Sequence, residues 1–294
     1  MMAAAFSACG HRASTATGAD GDSIATVPNG DTTGTEAAKS ALVIDTIQIE
    51  RNDSMAEVSL NIQWPVDGNK SLVKSVRAFI CDVCNIEDKN FRGSKTDFQN
   101  IAETEYNGLV EEWNGTYDGE GGPSFTSTTE AVQLVETSAF VTYYAELSSY
   151  TGGAHGMAVH VGRTFRKSDG KMIGYETDYD KETFAVLRKD NNLLADTESA
   201  KLYALIKAGV LSYFKKYDQE MANDNELADF LQVDDINRIP LPANTPYLTD
   251  KGVVFLYTQY EIAPYAAGMI TFEIPYAEIS PFLTDEAKAL IPVK

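Results

Sequence analysis

"FTSTTEAVQLVETSAFVTYYAELSSYTGGAHGMAVHVGRTFR", residues 125–166, carries three strand-like runs in succession. They cover Phe125–Val135, Ala139–Leu147 and Met157–Arg166, and each is rich in β-branched and aromatic residues. "KSDGK", Lys167–Lys171, is a strong turn after the third run. Upstream, "ALVIDTIQIE" (Ala41–Glu50) and "MAEVSLNIQW" flank the turn "NDS" and read as a hairpin. Between hairpin and strands the period changes. Leu72, Val73, Val76, Phe79, Ile80 and Val83 fall at helical spacing, with Ser71 as the expected N-cap. A second helix fits Phe98, Ile101, Glu105, Leu109 and Trp113, and "NGTYDGEGGP" is expected to break it. Downstream, Leu202, Leu205, Ile206, Val210, Leu211 and Phe214 form one stripe of a helix over about residues 197–216. "RIPLPANTPYLTDKG" reads as a loop, and two last strands cover Val253–Tyr260 and Met269–Pro275. Hairpins mixed with separate helices predict an α+β fold, mostly antiparallel sheet with packed helices.

The chain has 294 residues, 44% apolar and 23% charged, which suits a folded protein of one or two domains. No stretch approaches the roughly 20 apolar residues of a membrane-spanning helix. The net charge of −19 argues against a nucleic-acid binder, which needs a basic surface. It suits a basic partner, or simply a solvated acidic surface.

"MMAAAFSACG" ends a short apolar run in Phe6-Ser7-Ala8-Cys9 and looks like the end of a bacterial lipoprotein signal, with Cys9 as the lipidated residue. It departs from such a signal in having no basic n-region and an apolar run shorter than the usual ~7–15 residues. Residues 10–39 are rich in Ala, Thr, Gly, Asp and Ser, a composition too polar to bury a core, and read as a tether. The expected organisation is a signal remnant and tether over 1–39, an N-terminal subdomain over 40–150 and a C-terminal subdomain over 151–294. The expected location is the cell envelope, with the membrane reached only through the lipid.

Candidate chemistry is sparse. Cys81 and Cys84 form a single C-x-x-C near the end of the first helix, where the helix dipole opposes thiolate formation. They read as packed thiols or a structural disulfide. His155 and His160 are five apart, so a strand would place them on opposite faces, and neither has a ligand-spaced Glu or Cys. No metal and no cofactor is expected. There is no G-x-S-x-G and no phosphate-cradling loop. Gly152, Gly153 and Gly156 offer positive φ at a strand-to-strand corner, and His155 reads as a hydrogen-bonder within it. Tyr143, Tyr144, Tyr150, Tyr257, Tyr260 and Tyr265 gather near the glycine segments. They suit either the core or a surface for sugar stacking or protein binding.

"YTGGAHG" (Tyr150–Gly156), "YEIAPYAAG" (Tyr260–Gly268) and "IPYAEI" (Ile274–Ile279) together resemble one family. It is the extracytoplasmic module of unknown function found in the peptidoglycan deacetylase PdaC and the anti-sigma factor RsiV. The similarity spans roughly residues 41–290. It implies an α+β fold of two subdomains and a role in binding rather than catalysis. In the anti-sigma factor the module binds lysozyme, so the resemblance implies a basic, lysozyme-like partner, or else peptidoglycan itself. Nothing in the chain resembles the deacetylase domain. The expected binding surface comprises Tyr150, Gly152, Gly153, His155, Tyr260 and Tyr265. The competing expectation is a cell-wall glycan hydrolase using His155 with a carboxylate such as Glu261.

Overall fold

Apolar and polar residues alternate along the first hairpin. One face of β2 (Ala56–Asp67) buries Ala56, Val58, Leu60, Ile62 and Trp64, and β1 (Val43–Asn52) pairs with it antiparallel. The computed structural model describes residues 41–291 apart from 120, 181, 183–185 and 218–223. Cys9 and the expected tether lie outside the described residues.

The strand runs of residues 125–166 form β3 (Phe125–Glu136), β4 (Phe140–Tyr150) and β5 (Met157–Arg166), paired antiparallel in that order. With β6 (Met172–Ile173) they complete a six-stranded sheet in the order β1-β2-β3-β4-β5-β6. β2 and β3 pair in parallel. A parallel pair needs a long crossover, and two helices supply it. These are α1 (Lys70–Val83) and α2 (Lys95–Tyr117). Both lay an apolar stripe on the same sheet face. Leu72, Val76 and Ile80 of α1 and Phe98, Ala102 and Trp113 of α2 are buried there with Val58, Ile62, Tyr143 and Phe165. The N-cap of α1 is Asn69 rather than Ser71. The Asn69 side chain accepts from the N–H groups of Ser71 and Leu72, so Ser71 sits inside the helix. α2 opens with a Ser94–Asp97 capping box and runs on through Asn114–Tyr117, beyond the expected break, to a left-handed Asp118.

Beyond β6 come the hairpin of β7 (Glu176–Tyr179) and β8 (Val186–Lys189), then α3 (Ala200–Lys216) and α4 (Asp224–Phe230). A second sheet has the order β11-β10-β9, built from β9 (Tyr247–Leu248), β10 (Gly252–Tyr257) and β11 (Ile270–Pro275). Short helices α5 (Tyr276–Ile279) and α6 (Asp285–Lys288) close the described chain. Leu202, Ile206, Val210 and Phe214 of α3 pack on Phe255, Tyr257 and Phe272 in a second core. The fold is α+β with mainly antiparallel sheet, as expected.

The two cores meet through β4. Neighbouring strand residues point to opposite faces, and Phe140 belongs to the second core while Val141 belongs to the first. β9 docks on the Phe140 face. The Thr142 hydroxyl donates to the Leu248 carbonyl at 2.7 Å, and the Leu248 N–H donates to Thr164 Oγ1 at 2.8 Å. Tyr247 lies over Gly162, where an added Cβ would sit 2.1 Å from its ring. Arg166 and Lys171 both pair with Glu286 of α6, at 2.7 and 2.9 Å. The expected division at residue 150 falls between two paired strands, β4 and β5, of one sheet.

Candidate functional site

The turn between β4 and β5 is built by its glycines. Gly152 (φ +93°) and Gly153 (φ +84°) lie in the left-handed region, which costs glycine nothing. Gly156 has a different reason from the expected positive φ. A Cβ there would stand 2.6 Å from the Ser149 carbonyl oxygen, so the two arms of the hairpin approach too closely for any side chain. The Tyr150 hydroxyl donates to the Gly153 carbonyl at 3.3 Å and steadies the turn. His155 is exposed, with Nδ1 3.0 Å from the Gly156 carbonyl oxygen. Since that oxygen only accepts, Nδ1 carries a proton, and Nε2 has no partner among the described residues.

The second motif forms the connection between β10 and β11. Its scaffold is the Glu261 carboxylate, which accepts from the Thr258 N–H at 2.8 Å and the Ala243 N–H at 2.6 Å. Tyr260 is held at φ +66° and is 57% exposed. A bulky aromatic in this region costs about 1–2 kcal/mol. Pro264 starts a 3-10 turn over Tyr265–Ala267, and the Tyr213 hydroxyl donates to the Ala267 carbonyl at 2.7 Å.

The two motifs meet. The Tyr265 hydroxyl donates to the Gly156 carbonyl at 2.9 Å, and its ring stacks on His155 with centroids 3.8 Å apart and planes 19° apart. The Tyr260 ring lies 5.7 Å from Tyr265. His155, Tyr260 and Tyr265 therefore form one aromatic surface on a corner of the molecule, with Tyr150, Gly152 and Gly153 shaping the turn beneath it. Flat aromatic faces beside an imidazole nitrogen suit stacking and interface contact. The arrangement holds no base–carboxylate pair. His155 leans on a backbone carbonyl, and the Glu261 carboxylate is engaged by Thr258 and Ala243.

The remaining candidates separate. Tyr143 and Tyr257 are fully buried core residues. Tyr144 is on the sheet face that carries β9, with its hydroxyl 2.7 Å from His160 Nδ1, and His160 Nε2 lies 3.5 Å from Glu146. Burial raises the Tyr144 hydroxyl well above its usual pKa, so it stays protonated beside the imidazole. Cys81 and Cys84 are free thiols at the end of α1, and burial pushes Cys84 up to about 12. Such thiols stay protonated and unreactive. Sequence reasoning missed Tyr213, which holds the second motif from α3, and Met157, 65% exposed directly after the first. Tyr213 carries no local signal, because it lies inside an ordinary helical stretch. Met157 was readable as an apolar residue abutting a glycine turn.

Residues 191–277 match the family model described as "Protein of unknown function (DUF3298)", which takes in the whole of the second motif. No curated protein matches the chain. Among solved structures it is similar to a DUF3298 family member from Bacteroides fragilis, with TM-score 0.60 and 19% identity over 84% of this chain and 96% of that one. It is also similar to a DUF3298 family protein from Pseudomonas aeruginosa, with TM-score 0.52 and 15% identity over 86% and 98%. At such identities the likeness shows a shared fold, over a stretch of chain longer than the matched segment. Residues 191–277 thus match a DUF3298 domain of unknown function, and the PdaC- and RsiV-like motif at Tyr260–Gly268 lies within them.

Proposed function

We propose that this protein is a non-enzymatic binding module of the bacterial cell envelope, anchored through Cys9, and that it holds a basic, lysozyme-like protein on the His155–Tyr260–Tyr265 surface. The observation that carries the reading is Tyr260. An exposed tyrosine kept in a left-handed backbone conformation beside two stacked rings spends stability without gaining burial, which a contact role explains. The net charge of −19 supports a basic partner, because opposite charge speeds encounter by about ten- to a thousand-fold at low salt. The engagement of the Glu261 carboxylate elsewhere favours binding over glycan hydrolysis.

The test is a titration of a basic lysozyme against the module at low salt and at about 0.3 M, where the Debye length is below ~8 Å. Specific binding persists at the higher salt, and Tyr260→Gly weakens it by tenfold or more, mainly through the off-rate. Glycine relaxes the strained backbone at position 260, so this variant keeps wild-type stability within about 1 kcal/mol. Affinity that vanishes at 0.3 M and ignores Tyr260→Gly would leave only nonspecific attraction and move the reading to a glycan ligand.

A further inference from the structure

Gly162 lies under Tyr247, and the next residue of β5 turns to the opposite face, toward α1. There Arg163 lines a groove of about 520 Å³ between α1 and the β5–β7 segment. Phe79 and Phe165 line it with rings 6.1 Å apart, and the buried Tyr175 adds a third aromatic wall. Asp82, in the last turn of α1, and Glu176, the first residue of β7, line it as exposed carboxylates.

The Arg163 guanidinium is half-buried and has five N–H donors. Among the described residues it makes one hydrogen bond, from Nη1 to the Gly162 carbonyl at 3.1 Å. Asp82 and Glu176 act on it through longer-range attraction and form no ion pair with it, while burial weakens its hold on its proton. A partly desolvated cation with unspent donors is costly, and a paired or apolar side chain would serve packing better. Two carboxylates at the groove and one cation, none of them ion-paired among the described residues, form an arrangement that repels a simple anion and whose charges a simple apolar ligand leaves unanswered.

We propose that this groove binds a zwitterionic amino acid or short peptide, with its carboxylate on Arg163 and its ammonium on Asp82 and Glu176. The guanidinium fork matches a carboxylate through two parallel hydrogen bonds. The ligand's own positive charge answers the excess of acidic groups, and its apolar part lies against Phe79 and Phe165. The groove volume falls within the roughly 300–1,000 Å³ of small-molecule sites. The site shares no residue with the aromatic surface, so it stands or falls independently of the partner proposed for that surface.

The experiment titrates L-alanyl-L-alanine into the ¹⁵N-labelled protein and follows amide shifts. N-acetyl-alanyl-alanine lacks the ammonium, and alanyl-alanine amide lacks the carboxylate. The free dipeptide is expected to give saturable shifts in the last turn of α1 and in β5–β7, with each blocked form at least about tenfold weaker. Arg163→Gln is expected to weaken binding by tenfold or more while its own spectrum reports an intact fold. Should that variant unfold, the exposed pair Asp82→Asn and Glu176→Gln decides instead, with the same loss expected. Three results would overturn the proposal. One is the absence of saturable shifts at about 10 mM dipeptide. The others are equal binding of the acetylated form and unchanged affinity in the substituted proteins.

Discussion

Substituting Gly162 by alanine tests how the second core is fastened to the six-stranded sheet. The added Cβ would lie 2.1, 2.4 and 2.5 Å from three carbons of the Tyr247 ring. Ordinary carbon contacts begin near 3.5 Å, so the ring must retreat by more than an ångström. Rotation in place is hindered by the Tyr144 ring, 6.2 Å away centre to centre. Moving β9 bodily breaks the hydrogen bonds that tie Leu248 to Thr142 and Thr164. Each is worth about 0.5–1.5 kcal/mol, and overpacking that is not relieved costs about 1–3 kcal/mol. Either route comes to about 2 kcal/mol, or roughly 4–8 °C in Tm for a domain of this size. A double-mutant cycle isolates the contact. Tyr247→Ala alone removes a buried ring and costs about 3 kcal/mol. In that background the ring carbons nearest the new Cβ are gone, and alanine suits a strand better than glycine by about 0.5–1 kcal/mol. Calorimetry should therefore show Gly162→Ala destabilising the parent and neutral or stabilising in Tyr247→Ala. Equal losses in both backgrounds would refute the reasoning, because the cost would then come from the strand and not from Tyr247.

Two further predictions concern titrating groups. The Arg166 guanidinium hydrogen-bonds Asp169 and holds its carboxyl at about 2, down from 3.8. The folded-state pKa is depressed, so this contribution is complete above about pH 4 and is lost as pH falls through about 2. A ¹³C carboxyl titration should place the Asp169 midpoint near 2, and Arg166→Gln should return it toward 3.8. An unchanged midpoint in the variant would exclude the guanidinium as the cause. The half-buried Cys84 thiol, pushed up to about 12, should react with Ellman's reagent at pH 8 far more slowly than a free cysteine, in a chain carrying Cys9→Ser. Rapid modification of both remaining thiols in the native protein would contradict the packing of the α1 terminus.

Much of the fold was legible because its elements are long and periodic. The β3–β5 run declares itself through alternation, and α1 through the 3.6-residue spacing of Leu72, Val76 and Ile80. What escaped had no local signal. The parallel pairing of β2 with β3 depends on two helices covering the same face, which no window of sequence contains. β9 is two residues inside a proline-rich loop, and its strand character comes from β10 and from Thr142 and Thr164. The Asn69 cap was missed because Ser71 is an equally good capping type two residues later. At the aromatic surface the residue types were readable, but the bond joining Tyr265 to Gly156 spans 109 residues, and only the tertiary fold closes it. Gly156 shows the same limit. Its sequence said glycine was required, and only the hairpin's geometry says that the reason is the Ser149 carbonyl.

The sharing of β4 and β6 between two cores bears on how this architecture can be inherited. Phe140 and Ile173 are contributed by the six-stranded sheet, yet both are fully buried in the core that surrounds residues 191–277. A gene fragment cut to that segment would lose both side chains, the threonine partners of Leu248 and the Arg166 and Lys171 partners of Glu286. It would expose the apolar face that they cover, and such a fragment has little reason to stay soluble. Recombination should therefore move the whole of residues 41–291 as one piece, and unfolding should lose both sheets in a single transition.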